Sequence, residues 1–272
     1  MQDSSWSEDS VAETAGLTIE QAIANLRSPD LSLRYYAAWW LGKFRVNAPE
    51  AVEALIAALE DEDDRTELGG YPLRRNAARA LGKLGDTQAV PGLIRCLACE
   101  DYYVREAAAQ SLGMLNAPSA IPALMDLLTG GVEVAVPVPG RPHLTQPYDS
   151  VIEALGALQA TQAISLIQPF LEHPQAKVQY AATRAMYQLT QEDCYGQRLM
   201  QALEGEDLQL RRTALSDLGA IGYLPAREAI ARCAAENSFK LLALKGLLEH
   251  QAKHHDLTPD AIQVMNLMDS LL

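Results

Sequence analysis

The chain has 272 residues, 49% of them apolar, and a formal net charge of -13. That is ample material for a core, while the negative summed field repels a phosphate backbone and argues against nucleic acid as a partner. No apolar run approaches the roughly 20 residues of a membrane-spanning helix, and the acidic, Ser-rich N-terminus is unlike a secretory signal. A cytoplasmic protein is expected, with Cys96, Cys99, Cys194 and Cys233 reduced.

Residues 1–16 carry Ser, Asp and Glu with few apolar side chains and are predicted to form a disordered acidic tail, with Trp6 a stray exposed aromatic. Thr18 is expected to cap a short helix reaching about Arg27, with Leu17, Ile23 and Leu26 on its apolar side. Pro29-Asp30 ends it and opens a second helix from Leu31 to about Phe44.

From there the chain repeats. An Arg, an Ala three residues on and a Leu-Gly pair after them occur as Arg34…Ala37…Leu41-Gly42, Arg74…Ala77…Leu81-Gly82, Arg105…Ala108…Leu112-Gly113 and Arg211…Ala214…Leu218-Gly219. Each copy follows another helix with a Pro or Ala near its start and an apolar stripe, such as Val90, Leu93, Ile94 and Leu97. The interval is about 30 residues, with two longer intervals that locate insertions at 61–71 and 130–147. Both insertions fall between the two helices of one repeat, where long loops are commonly functional and should project from one edge.

This pattern predicts an all-α fold, a right-handed HEAT-like α-solenoid of about seven helix pairs, running as a single array from 17 to 272. The apolar segment from Thr258 to Leu272 reads as an end-cap folded on the last repeat or as a subunit interface. The skeleton itself is structural. Asp30, Asp101 and Asp207 each stand four residues before the skeleton Arg and are expected to join Arg34, Arg105 and Arg211 in a ladder of ion pairs and caps, with Arg74 in the same ladder. The Gly of each Leu-Gly pair allows neighbouring helices to approach closely.

Function is sought where copies depart from the skeleton. Residues one, five and nine after the Arg share one face of the second helix. They are Tyr35, Trp39 and Lys43, then Arg75, Arg79 and Lys83, then Glu106, Gln110 and Met114. These should lie side by side as aromatic, basic and mixed strips on the inner face of the array. Such a lining suits a flat conjugated ligand that bears carboxylates, with rings stacked on Tyr or Trp and guanidinium groups forked onto carboxylates. Tyr36 and Trp40 are expected to pack between helices. In the first insertion, Glu67-Leu-Gly-Gly-Tyr71 adds a carboxylate and an aromatic. Catalytic signatures and metal-ligand spacing are missing: Cys96-x-x-Cys99 has no second pair, and His143, His254 and His255 read as surface histidines.

The stretch from Arg34 to Gly42 (RYYAAWWLG) and the segment from Asp63 to Gly82 (DDRTELGGYPLRRNAARALG) resemble the E-type subunits of the heterodimeric cyanobacterial phycocyanobilin lyases, a HEAT-like repeat bilin lyase family. The resemblance extends from about Leu17 to the C-terminus. It implies a heterodimer with a smaller F-type subunit that binds phycocyanobilin and attaches it by a thioether to a cysteine of the phycocyanin α subunit. Detachment, transfer or isomerisation of the pigment occurs in related pairs. The pigment is then a substrate and no cofactor or metal is expected; the resemblance brings no catalytic residue with it. On the groove argument, Arg75 and Arg79 hold the propionates, Tyr35, Trp39 and Tyr71 stack on the rings, and Glu67 or Glu106 accepts the pyrrole N–H groups. The alternatives are a non-catalytic HEAT-repeat scaffold that gathers apo-phycocyanin and the partner, and a general assembly factor unrelated to pigments.

Overall fold

The computed structural model describes residues 17–252 and 258–272. The expected tail at 1–16 with its Trp6, and the histidines His254 and His255, lie outside the described residues. Contacts divide the chain into two compact units, Met1–Ser111 and Leu112–Leu272. The first holds α1 (Ile19–Asn25), α2 (Leu31–Lys43), α3 (Pro49–Ala58), α4 (Pro72–Leu84), α5 (Val90–Cys96) and most of α6 (Tyr102–Met114). The second holds α7 (Ile121–Asp126), α8 (Gly131–Val134), α9 (Tyr148–Ala157), α10 (Ile164–Ile167), α11 (Ala176–Thr190), α12 (Asp193–Gln201), α13 (Leu208–Ile221), α14 (Arg227–Arg232), α15 (Asn237–Ala252) and α16 (Pro259–Asp269). The fold is all-α and of HEAT type. Apart from α8, inside the second insertion, and the closing α16, the described helices alternate as seven pairs.

Local chemistry sets the helix starts. Thr18 forms a capping box with Gln21 ahead of α1. Asp30 caps α2 by accepting from the Ser32 and Leu33 amides, and Asp207 caps α13 by accepting from Gln209 and Leu210. Pro49, Pro91 and Pro122 occupy first-turn positions where no backbone donor is needed.

Asp30, Asp101 and Asp207 supply the expected caps, and Arg34 joins an ion pair with Asp61, while the skeleton arginines also bond to backbone carbonyls. With the Asp carboxylates engaged by helix amides, each Arg reaches back to carbonyls in the turn before its helix. Arg105 donates to Cys99 O and Glu100 O at 2.6 and 2.9 Å. Arg211 donates to Gly205 O and Glu206 O at 2.6 and 2.8 Å, and to Ala234 O at 3.0 Å. Arg34 donates to Ser28 O and pairs with Asp61, and Arg74 reaches Asp61 O at 2.7 Å. A guanidinium satisfies carbonyls that the preceding helix leaves without partners, so the Arg ties each turn to the helix after it.

The Leu-Gly glycines behave as expected. A Cβ on Gly82 would stand 2.7 Å from Ser111 Cβ and 2.8 Å from its Cα; one on Gly42 would stand 2.8 Å from Ala80 Cα. At both places the second helices of neighbouring repeats come within backbone contact.

In the second unit, the 130–147 insertion folds into α8 and a small hairpin, with a bridge between Pro137 and Leu144 and a hydrogen bond from Val138 N to His143 O. Buried His173 fixes it through a 3.0 Å bond between Nε2 and Ala135 O. The closing segment is a helix on the last pair. α16 buries Ala261 and Val264 against it, and Asn237 donates to Leu271 O at 2.7 Å. Among the described residues no helix is long and apolar enough to cross a membrane.

Candidate functional site

Within the first unit the second helices α2, α4 and α6 lie side by side. Their register is fixed by the two glycine contacts, by Asn76 Nδ2 donating to Tyr35 O at 3.3 Å, and by Ser111 Oγ donating to Ala78 O at 2.8 Å. The aromatic and basic strips are therefore on adjacent helices.

On α2, Tyr35 and Trp39 are exposed, and the Lys43 ammonium sits 4.6 Å from the Trp39 ring centroid in a cation–π contact. On α4, the Arg75 guanidinium carbon stands 5.8 Å from the Tyr103 ring, and Arg75 Nε is buried with no hydrogen-bond partner among the described residues. Arg79 faces Glu106 of α6 at 3.4 Å, at the long end of hydrogen-bonding distance. The arrangement sets two guanidinium groups, those of Arg75 and Arg79, beside exposed rings. Such groups bind a planar anion well, because a carboxylate accepts two parallel N–H bonds from one guanidinium.

Two expectations change. Tyr71 does not stand in the open beside these strips. It is 4% exposed, with its ring 4.3 Å from the Arg74 guanidinium carbon and 5.3 Å from that of Arg65, and its hydroxyl lies near Glu100 and Glu62. Burial, followed by the hydrogen bond to Glu100, raises its pKa. With its ring enclosed by cations it braces the insertion and has no open face for a ligand. Tyr36 and Trp40 do not disappear between helices either. Tyr36 is exposed, and Trp40 is half-buried with its ring 4.9 Å from that of exposed Phe44. Glu67 is exposed on a turn closed by Thr66, whose amide and hydroxyl both bond to Gly70.

Cys96 and Cys99 line a separate cavity of about 300 Å³ together with Glu60, Glu62, Arg74 and Arg95. Burial pushes the Cys96 thiol up to about 12, so it is protonated near neutral pH and a poor nucleophile. Among the described residues no group of His, Cys, Asp and Glu is arranged to hold a metal.

Sequence reasoning missed a buried acid in the second unit. Asp217 of α13 is 2% exposed and pairs with Arg184 of α11 at 3.2 Å. Burial raises its carboxyl to about 7 against the pull of Arg184. The available signal was positional: six residues after the skeleton Arg, the other clear copies carry Trp40, Ala80 or Ser111, and none has an acid there.

Comparison with known proteins bears on what these features serve. Residues 33–61 match the PBS lyase HEAT-like repeat family, and residues 71–134 match HEAT repeats. The chain is 71% identical over 260 residues to the phycocyanobilin lyase subunit alpha of Nostoc sp., covering 94% of each. It is 66% identical over 264 residues to that of Microchaete diplosiphon, covering 94% of this chain and 90% of the relative. Among solved structures it is similar to a chain from the complex of CpcE and CpcF of phycocyanin lyase from Nostoc sp., at 67% identity and a TM-score of 0.92 over 100% of both chains. With this identity sustained along nearly its whole length, the chain belongs to the phycocyanobilin lyase subunit alpha family.

Proposed function

We propose that this protein is the α subunit of a heterodimeric lyase that binds phycocyanobilin and attaches it by a thioether bond to a cysteine of the phycocyanin α subunit, in the cytoplasm. The pigment is the substrate, and no other cofactor takes part. Family membership supports the reaction, and the observation that carries the site is the pairing of exposed Tyr35 and Trp39 on α2 with Arg75 and Arg79 on the adjacent α4.

In this reading the rings of the pigment lie on Tyr35 and Trp39, and its propionates take the Arg75 and Arg79 guanidinium groups. Glu106, displaced from Arg79, accepts pyrrole N–H bonds. Tyr71 is excluded from the contact set because its ring is enclosed, and exposed Glu67 is a lesser candidate at the rim. The addition needs little from this chain beyond geometry. The acceptor sulfur bonds to the ethylidene carbon, a proton is taken up on the adjoining ring carbon, and nothing leaves. Holding one face of an extended pigment toward one thiolate lowers the barrier by up to about 7 to 11 kcal/mol in favourable cases.

The test is Arg75→Ala with Arg79→Ala in the assembled heterodimer. Pigment affinity is expected to fall about 100-fold, from two charge-assisted contacts of about 1.5 to 3 kcal/mol each that are partly offset by water. The rate of attachment should fall with it. Unchanged pigment titration and unchanged attachment would exclude the site.

A further inference from the structure

The first second-helix differs from all those after it on the side that faces backwards along the repeats. In most later copies, the residue at the position of Trp40 receives the glycine of the preceding second helix; on α13 that position holds Asp217, which pairs with Arg184. Ala80 meets Gly42, and Ser111 meets Gly82; in the second unit Ala154 meets Gly113. Ala185 and Ala243 stand in the same relation to Gly156 and Gly219. The flanking positions on that side are also covered, as with Asn76 and Leu84 on α4. On α2 the same three positions hold Tyr36, Trp40 and Phe44. Tyr36 is 47% and Phe44 57% exposed, and no repeat precedes them among the described residues. A terminal repeat of such an array ordinarily turns a polar face to water. This one carries three aromatics at four-residue spacing, the residue types that dominate protein interfaces.

We propose that this end face of α2 is the docking surface for the second subunit of the lyase, which lays a helix along α2 in the place a preceding repeat would take. The inference rests on the heterodimer of the proposed function and adds where its interface lies. Large rings where the array elsewhere uses small residues call for an apolar partner surface with recesses, which differs from the Gly-on-Ala contact inside the array. A second copy of this chain is a poor occupant, because two molecules of net charge -13 repel one another. The Tyr36 ring stands 5.4 Å from that of Trp39, so the docking face adjoins the pigment contacts along one helix.

The experiment is calorimetric titration of the CpcF-type subunit into the full chain, its Tyr36→Ser/Phe44→Ser variant and its Phe44→Leu variant, with gel filtration of each chain alone. Wild-type binding with at least about 100-fold weakening in the double variant, and less than about fivefold in Phe44→Leu, supports the proposal. Phe44→Lys, at an already exposed side chain, gives the same reading if the double variant folds poorly. Equal affinity for the double variant overturns the proposal while leaving the heterodimer intact. A wild-type chain that fails to bind the partner at all overturns the heterodimer itself. A wild-type self-dimer dispersed by the double substitution would assign the face to a second copy, and a gain of hydrophobic-dye fluorescence on removing residues 1–16, lost again in the double variant, would assign it to the N-terminal segment. Either result overturns the proposal.

Discussion

Arg34 and Asp217 are both charged side chains largely withdrawn from water, and they act on stability in opposite ways. Arg34 is satisfied: it donates to Ser28 O and pairs with Asp61 while 14% of its side chain is exposed. Arg34→Ala leaves that carbonyl and carboxylate short of a donor, and urea unfolding is expected to show a loss of about 2 kcal/mol. Asp217 is held with a pKa of about 7 against 3.8 for the free group. Between those values the folded chain keeps a proton that the unfolded chain has released, so the contribution of this site is full below about pH 4 and declines as pH rises toward 7. Asp217→Asn removes the slope, and the stability of the variant relative to wild type should increase from about pH 5 to about pH 8. A difference independent of pH would mean that the carboxyl is ionised throughout. The structural role of Arg34 was legible from its recurrence, although its partners were not. Asp217 was opaque, because a single acid in a helix looks solvated until Arg184 of another helix is found against it.

At the scale of elements, interval counting located the helices and both insertions, and the Leu-Gly landmark gave the close helix contacts. Gly82→Ala forces a methyl group into Ser111 and is expected to destabilise by about 2 kcal/mol or more. Gly85→Ala, at a helix end with φ of 80° and no atom within 4 Å of the added carbon, should cost about 1 kcal/mol from backbone conformation alone. Thermal melts of the two variants separate packing from backbone strain. The side-by-side strips of α2 and α4 were also legible, since identical positions in adjacent repeats must neighbour each other once the register repeats. The interior of the first insertion was not. Tyr71 looked like a ligand contact because a plain loop has little need of an aromatic, but its ring is enclosed by Arg65 and Arg74 and its hydroxyl meets Glu100, 29 positions away, which pattern reading does not see. Tyr36 and Trp40 were misread for a related cause: where a repeat precedes, these positions can pack between helices, as Asn76 and Ala80 do on α4.

For the whole molecule, the dominant long-range term is negative charge. The sequence pI is about 4.8, and as pH approaches it the repulsion between copies vanishes while the aromatic end of α2 stays exposed. Light scattering is expected to peak near that pH and to be reduced by Phe44→Ser; an equal peak in both chains would place association elsewhere. α4, finally, starts without a capping side chain of its own. Its first free amides are held from outside, Tyr71 N by Asp101 at 2.7 Å and Leu73 N by Asp64 at 2.8 Å. Arg75 stands one turn further in, so its aim is inherited from the start of the following repeat's second helix. Position 101 is thereby a remote steering point, where exchange of one acid would shift the start of α4 and, with it, a guanidinium group of the proposed pigment site.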